Sequence, residues 1–202
     1  MGPGRLLIAT HNPGKLRELT RLLGEVPFDL VSLDDVGIRH QVDETGETFE
    51  QNAALKAETY ARLSGLPTLA DDSGLEVDAL DGEPGVRSAR YAGDNATDAH
   101  RIAFLLRKLH NIPAGDRTAR FRCVIAVAWP GGSLGLHTGA CEGRIIESPR
   151  GSNGFGYDPV FFIPSMDKTM AELTGTQKNR VSHRSAAARK ASVSLMRMAE
   201  TR

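Results

Sequence analysis

Two aspartates stand side by side in Ala70-Asp71-Asp72-Ser73-Gly74, directly after Leu69. Adjacent carboxylates repel, and a divalent cation bound by oxygen ligands, magnesium above all, relieves that repulsion. An Asp-rich turn is the plainer reading, but the apolar lead-in brings the pair out at the end of a core strand, where sites tend to sit. Asp43-Glu44-Thr45-Gly46-Glu47 offers one more carboxylate, and Asp43 and Glu44 both stand as candidates. Thr10-His11-Asn12-Pro13-Gly14-Lys15 reads as a turn from a strand into a helix N-terminus, where backbone N–H groups and the helix dipole favour an anion. Lys15 adds a charge, so the segment suits a phosphate; it lacks the spacing of a Walker A loop.

Gly151-Ser152-Asn153-Gly154-Phe155-Gly156-Tyr157-Asp158-Pro159 sets two aromatics in a glycine-rich loop. Glycine allows close approach and positive φ, and Phe155 offers a flat face for a base, whereas Tyr157 reads more readily as packing. Lys178-Asn179-Arg180-Val181-Ser182-His183-Arg184 is a basic cluster expected at a helix N-terminus. Surface charge accounts for Lys178 and Arg180; donors from the His183-Arg184 turn could read an oxygen on a purine. The six histidines are scattered, which excludes the His-Glu-x-x-His zinc pattern. Gly131-Gly132-Ser133-Leu134-Gly135 has the Gly-x-Ser-x-Gly spacing, but it falls in the turn between two strands and not in the strand-to-helix elbow a serine nucleophile needs.

These groups must be held by ordinary elements. Leu6 to Thr10 reads as a short strand, and a helix from Lys15 buries Leu16, Leu19, Leu22 and Leu23 before Gly24 stops it. A second helix starts at Thr48, where Thr48-x-x-Gln51 fits a capping box. Its stripe is Phe49, Ala53, Ala57, Tyr60 and Ala61, and Asn52 and Lys56, four apart, share a face. Leu66 to Ala70 is a strand, and Thr97 to Leu109 a helix facing inward with Ile102, Leu105, Leu106 and Leu109. Phe121, Cys123, Ile125, Val127 and Trp129 alternate as in a strand, and Pro130-Gly131-Gly132 turns back toward Cys141. Val160 to Ile163 is a short strand, and a last helix from about Ser182 buries Ala188, Ala191, Leu195 and Met198. The antiparallel central hairpin excludes a simple doubly wound sheet.

With 202 residues the chain can build one domain with a sizeable core. Lys plus Arg equals Asp plus Glu at 25 each, so there is no basic surplus to grip nucleic acid. No apolar run could span a bilayer. A Met1-Gly2 start followed by Pro3 fits myristoylation poorly. Cys123 and Cys141 lack Cys-x-x-Cys spacing and read as free thiols of a reducing cytoplasm, with a disulfide between them as the second reading.

Taken in order, the motifs resemble the inosine triphosphate pyrophosphatase family, also called the Ham1 or non-canonical purine NTP pyrophosphatase family. The matching residues are Ala9-Thr10-x-Asn12-x-x-Lys15, Glu44-Thr45-Gly46-x-Thr48-Phe49-x-x-Asn52-Ala53-x-x-Lys56-Ala57, Ala70-Asp71-Asp72-Ser73-Gly74-Leu75, Ser88-Ala89-Arg90-Tyr91, Gly154-Phe155-Gly156-Tyr157-Asp158-Pro159 and Ser182-His183-Arg184. The resemblance implies an α/β fold in one domain over 1–202: a mixed, elongated, curved sheet flanked by helices, two lobes, and an active-site cleft between them. It implies hydrolysis of ITP, dITP and XTP, a magnesium cofactor and a homodimer. In its terms Thr10, His11, Asn12, Pro13, Gly14 and Lys15 bind the triphosphate, and Lys56 faces the phosphates. Asp72 is the proton acceptor and a metal contact, with Glu44 or Asp43 as the second ligand. Ser73 touches substrate. Phe155, Gly156, Tyr157 and Asp158 line the base pocket, and Lys178, His183 and Arg184 complete substrate recognition. His11 and Asn153 depart from the family's usual glycines, and Asp43 from a frequent Glu. The competing readings are a Maf-like pyrophosphatase for modified nucleotides, whose Ser-x-Ser-Pro-Arg-Arg opening is missing, and a nucleotide sensor that does not hydrolyse.

Overall fold

A computed structural model describes residues 4–200, so Met1, Gly2 and Pro3, where a lipid anchor was weighed, lie outside the described residues. Seven strands and five α-helices follow in the order β1 (Gly4–Ile8), α1 (Pro13–Leu22), β2 (Phe28–Ser32), α2 (Phe49–Ser64), β3 (Thr68–Val77), α3 (Asp98–Lys108), β4 (Thr118–Ala128), β5 (Leu134–Ile145), β6 (Phe161–Ile163), β7 (Lys168–Thr169), α4 (Gly175–Val181) and α5 (His183–Glu200). The strands form one mixed sheet in the order β2-β1-β3-β4-β5-β6-β7. β1 runs parallel to β2 and β3, while β6 is antiparallel to β5 and β7. β4 and β5 are neighbours joined by a five-residue turn, 129–133, too short for anything but an antiparallel pair.

The chain divides into two compact units. The first is Met1–Asp72, Cys123–Gly139 and Arg184–Arg202; the second is Ser73–Arg122 and Ala140–His183. The core of the first joins Leu6, Ile8 and Leu69 of the sheet to Leu19 and Leu23 of α1 and Ala187, Ala188, Ala191 and Leu195 of α5. Small alanines let α5 sit close to the strands. The core of the second gathers Leu75, Val77, Phe121 and Phe161 against Ile102, Leu105 and Leu109 of α3.

Local signals place most elements. Thr48 and Gln51 make the capping box of α2, and Gly65 ends the helix in the left-handed region at φ 67°. The stripe Phe49, Ala53, Ala57, Tyr60 and Ala61 is buried throughout. Four expectations are corrected. Asp71 and Asp72 do not end a strand, because β3 continues through them to Val77. α1 begins at Pro13, whose fixed φ suits a first helical position, with Asn12 as its cap. Lys178 belongs to a separate short helix, α4, rather than to the start of α5. Thr174 and Gln177 box the N-terminus of α4, and Ser182 in extended conformation breaks it from α5. Met198 is only partly buried, in the last turn of α5. Strand β2 carried no clear alternation and was not expected.

Candidate active site

In the first unit, strand geometry sorts the two aspartates. Successive side chains leave opposite faces of a strand, and Asp71 and Asp72 accordingly meet different partners. Asp72 accepts from Lys56 Nζ at 3.1 Å and Asn52 Nδ2 at 3.4 Å, both on one face of α2. Lys56 Nζ also donates to Glu44 Oε1 at 2.6 Å, so Glu44 and Asp72 share one ammonium, while Asp43 is exposed. Asn52 seats the loop that carries Glu44: its Oδ1 accepts from Gly46 N at 2.7 Å and its Nδ2 donates to Gly46 O at 3.3 Å. A Cβ on Gly46 would lie 2.7 Å from that Oδ1, so only glycine lets the loop approach.

Burial pushes the Asp72 carboxyl up and Glu44 adds to it, with Lys56 and Lys15 pulling the other way without prevailing. Burial works against the Lys56 ammonium, but Asp72, Glu44 and Asp71 together hold its pKa above the ordinary lysine value. The two upward shifts agree physically: one cation among three carboxylates is firmly charged, whereas each carboxylate has only a share of it.

Asp71 heads a second, deeper network. Its Oδ2 lies 3.1 Å from Lys15 Nζ and 3.3 Å from Arg184 Nη2, and Arg184 Nη1 reaches Glu18 Oε2 at 2.5 Å. Glu18 follows Lys15 by three residues on α1, so both sit on one face. Burial alone would raise Asp71, but Lys15 and Arg184 hold it well below the usual carboxylate range. Because its folded pKa is depressed, the stability it contributes is complete above the ordinary value of 3.8 and fades as pH falls below it. The urea midpoint is expected to drop from about pH 4 downward, and less steeply in Asp71→Asn; identical profiles would contradict the network. Cys123 Sγ sits 3.9 Å from Asp71, and burial pushes its thiol up to about 12, consistent with an inert, free cysteine.

The turn before α1 differs from expectation. Asn12 Oδ1 accepts from the N–H groups of Gly14 and Lys15 at 2.8 and 3.0 Å, and Thr10 Oγ1 from that of Asn12 at 3.1 Å. Those backbone donors are taken by the helix cap, which leaves Lys15 as the turn's charged donor. His11 is exposed, with Nε2 near His40 O at 3.1 Å and Tyr60 Oη at 3.2 Å.

In the second unit a buried ion pair lies beside an aromatic face. Lys178 Nζ donates to Asp158 Oδ2 at 2.6 Å and stands 5.0 Å above the centre of the Phe155 ring. Gly154, at φ 80°, has no room for a Cβ against Asp158. Tyr157 is buried and donates its hydroxyl to Ser88 O at 2.9 Å. His183 stacks on Phe121 with ring centres 4.8 Å apart. Ser73, half-buried, follows Asp72 on β3.

Glu44, Lys56 and Asp72 are therefore brought together, as are Lys15, Asp71 and Arg184, and Phe155, Asp158 and Lys178. His183 and Arg184, adjacent in sequence, go to different partners. Glu18 was missed, although its spacing from Lys15 was readable.

The sequence model of the Ham1 family matches residues 6–193. The chain belongs to the Ham1 family. It is 54% identical over 180 residues to the dITP/XTP pyrophosphatase of Geobacter sulfurreducens, covering 89% of this chain and 90% of that protein. To the dITP/XTP pyrophosphatase of Bacillus licheniformis it is 48% identical, covering 94% and 97%. The solved structure of a HAM1 protein from Coxiella burnetii matches with a TM-score of 0.88 at 42% identity, covering 96% of this chain and 99% of that one. The mixed seven-stranded α/β sheet is thus a Ham1 fold. No described helix is long and apolar enough to cross a membrane.

Proposed function

We propose that this chain hydrolyses non-canonical purine nucleoside triphosphates, ITP, dITP and XTP, to the monophosphate and pyrophosphate, and so clears them from the nucleotide pool. One observation carries the reading: the buried Asp72 carboxylate shares the Lys56 ammonium with Glu44, on a strand whose preceding residue holds Lys15. The curated relatives named dITP/XTP pyrophosphatase support the substrate class.

In this reading residues 1–202 form a single catalytic domain. Asp72 accepts the proton of the water that attacks phosphorus, and the pyrophosphate leaves. Its raised pKa makes it a stronger base than an exposed aspartate. Lys15 and Lys56 face the phosphoryl oxygens, where charge must be stabilised, and Thr10, Asn12 and Ser73 flank them. The donors fit magnesium, which is held by one or two carboxylates together with substrate phosphates and water. Glu44 and Asp72 would hold it, and Glu44 is preferred to the exposed Asp43. Once bound, magnesium neutralises phosphate charge that would otherwise repel a nucleophile.

Phe155 stacks on the base, and Lys178 with Asp158 and His183 supplies polar groups beside it. Arg184, committed to Asp71 and Glu18, acts on the phosphate side by holding the network of Lys15. The carbonyl oxygen at C6 of hypoxanthine or xanthine accepts from Lys178, whereas adenine presents an amino group there. A buried donor left unsatisfied costs about 1–3 kcal/mol, roughly one to two decades of selectivity. The assembly proposed is a cytoplasmic homodimer.

Pyrophosphate release from ITP, ATP and GTP, with and without magnesium, tests the proposal. The specificity constant for ITP is expected to exceed that for ATP by about ten- to a hundredfold, with turnover lost when magnesium is chelated. Equal constants for all three would end the base-reading argument. Tight ITP binding without pyrophosphate release would favour the non-hydrolysing sensor.

A further inference from the structure

The aromatic loop is held from a residue outside every motif. Gly156 N donates to Asp98 Oδ2 at 2.6 Å, across 58 positions of sequence. Asp98 is the first residue of α3, and its other oxygen pairs with Arg101 one turn on. Arg101 is itself fixed, donating to Ala89 O at 3.0 Å and Ala96 O at 2.5 Å. One residue earlier in the chain, Phe155 N donates to Asp158 Oδ2 at 3.0 Å. Two successive amides therefore each end on a carboxylate, and between them stands the side chain that offers the flat face.

Such anchoring is needed here. Phe155 is flanked by Gly154 at φ 80° and Gly156 at φ 64°, and a glycine-bracketed residue has many backbone conformations when nothing selects one. A charged acceptor gives the stronger kind of amide hydrogen bond. Ordering the loop before the ligand arrives removes an entropy cost from binding.

We propose that Asp98 is a positioning residue for base recognition: acting through Gly156 N–H, with Arg101 fixing its carboxylate, it holds the Phe155 ring in the plane that receives the purine. This rests on the reading of Phe155 as the base-stacking residue. Asp98 acts on the nucleoside part of the ligand alone, which distinguishes it from a residue that merely stabilises the fold.

The test is calorimetric binding of two probes: ITP with a methylene group between its α and β phosphorus atoms, which resists hydrolysis, and inorganic triphosphate. Asp98→Ala is expected to bind the ITP analogue about tenfold more weakly, with triphosphate affinity changed less than about twofold. Asp98→Asn, which keeps an acceptor in the same place, is expected to recover most of the loss. If the alanine variant does not fold, Asp98→Ser, too short to hold the amide, is read in its place. Unchanged affinity for the ITP analogue, a parallel loss for both probes, or an asparagine variant as weak as alanine overturns the assignment. If the unaltered protein binds the analogue no better than triphosphate, the reading of the base pocket falls, and this inference with it.

Discussion

Asp72→Asn is expected to lower kcat for ITP by about two to four orders of magnitude while nucleotide binding survives, because general-base catalysis contributes on that scale. The substitution keeps the shape of the side chain and an acceptor for Lys56 Nζ, now 3.1 Å from Asp72 Oδ1, so the fold is not the target. What is lost is the capacity to take a proton and one of the two carboxylates that share the Lys56 ammonium. Single-turnover pyrophosphate release, paired with calorimetric binding of the methylene analogue of ITP, separates chemistry from affinity. A variant that turns over at the unaltered rate would remove Asp72 from the mechanism.

Arg184→Ala is expected to destabilise the protein by about 3–5 kcal/mol, the usual cost of stripping one partner from a buried ion pair. Arg184 and Asp71 are both buried, at 2% relative exposure each, and the guanidinium also meets Glu18. Removing it takes away one of the cations that hold the buried Asp71 carboxylate in its charged form. The double variant Arg184→Ala with Asp71→Asn is expected to recover part of the loss, since the orphaned charge goes with its partner. Urea unfolding of the single and double variants measures both. A loss under about 1 kcal/mol in the single variant would show that the network contributes little. A large stability cost would show that Arg184 holds the buried network of Asp71 and Glu18.

Local chemistry carried most of the fold and much of the site. The Thr48 and Gln51 capping box, the helical stripes and the alternation from Phe121 onward all rest on spacings within a few residues, and each element formed where those spacings lie. Asn52 and Lys56 could be placed on one face from the helical period alone, and Asp72 lies against that face. By contrast, the turn at Asn12 looked open to an anion, because a sequence does not say that a cap will take the N–H groups of Gly14 and Lys15.

The amino-acid order by itself determined which residue types were present in which local spacing: paired carboxylates after an apolar run, a lysine at a helix start, an aromatic between glycines. Only the tertiary structure decided who meets whom. The choice of Glu44 over Asp43 as the partner of Lys56, and the parting of His183 from Arg184, both depend on side chains far apart in the chain. So does the hold of Asp98 on Gly156. The reason is physical. Short-range order follows from backbone periodicity and hydrogen bonding among neighbours, which a sequence displays directly. Pairing across 20 to 113 positions, as for Asn52 with Asp72 and Arg184 with Asp71, follows from how strands and helices pack and from where burial makes an uncompensated charge too costly.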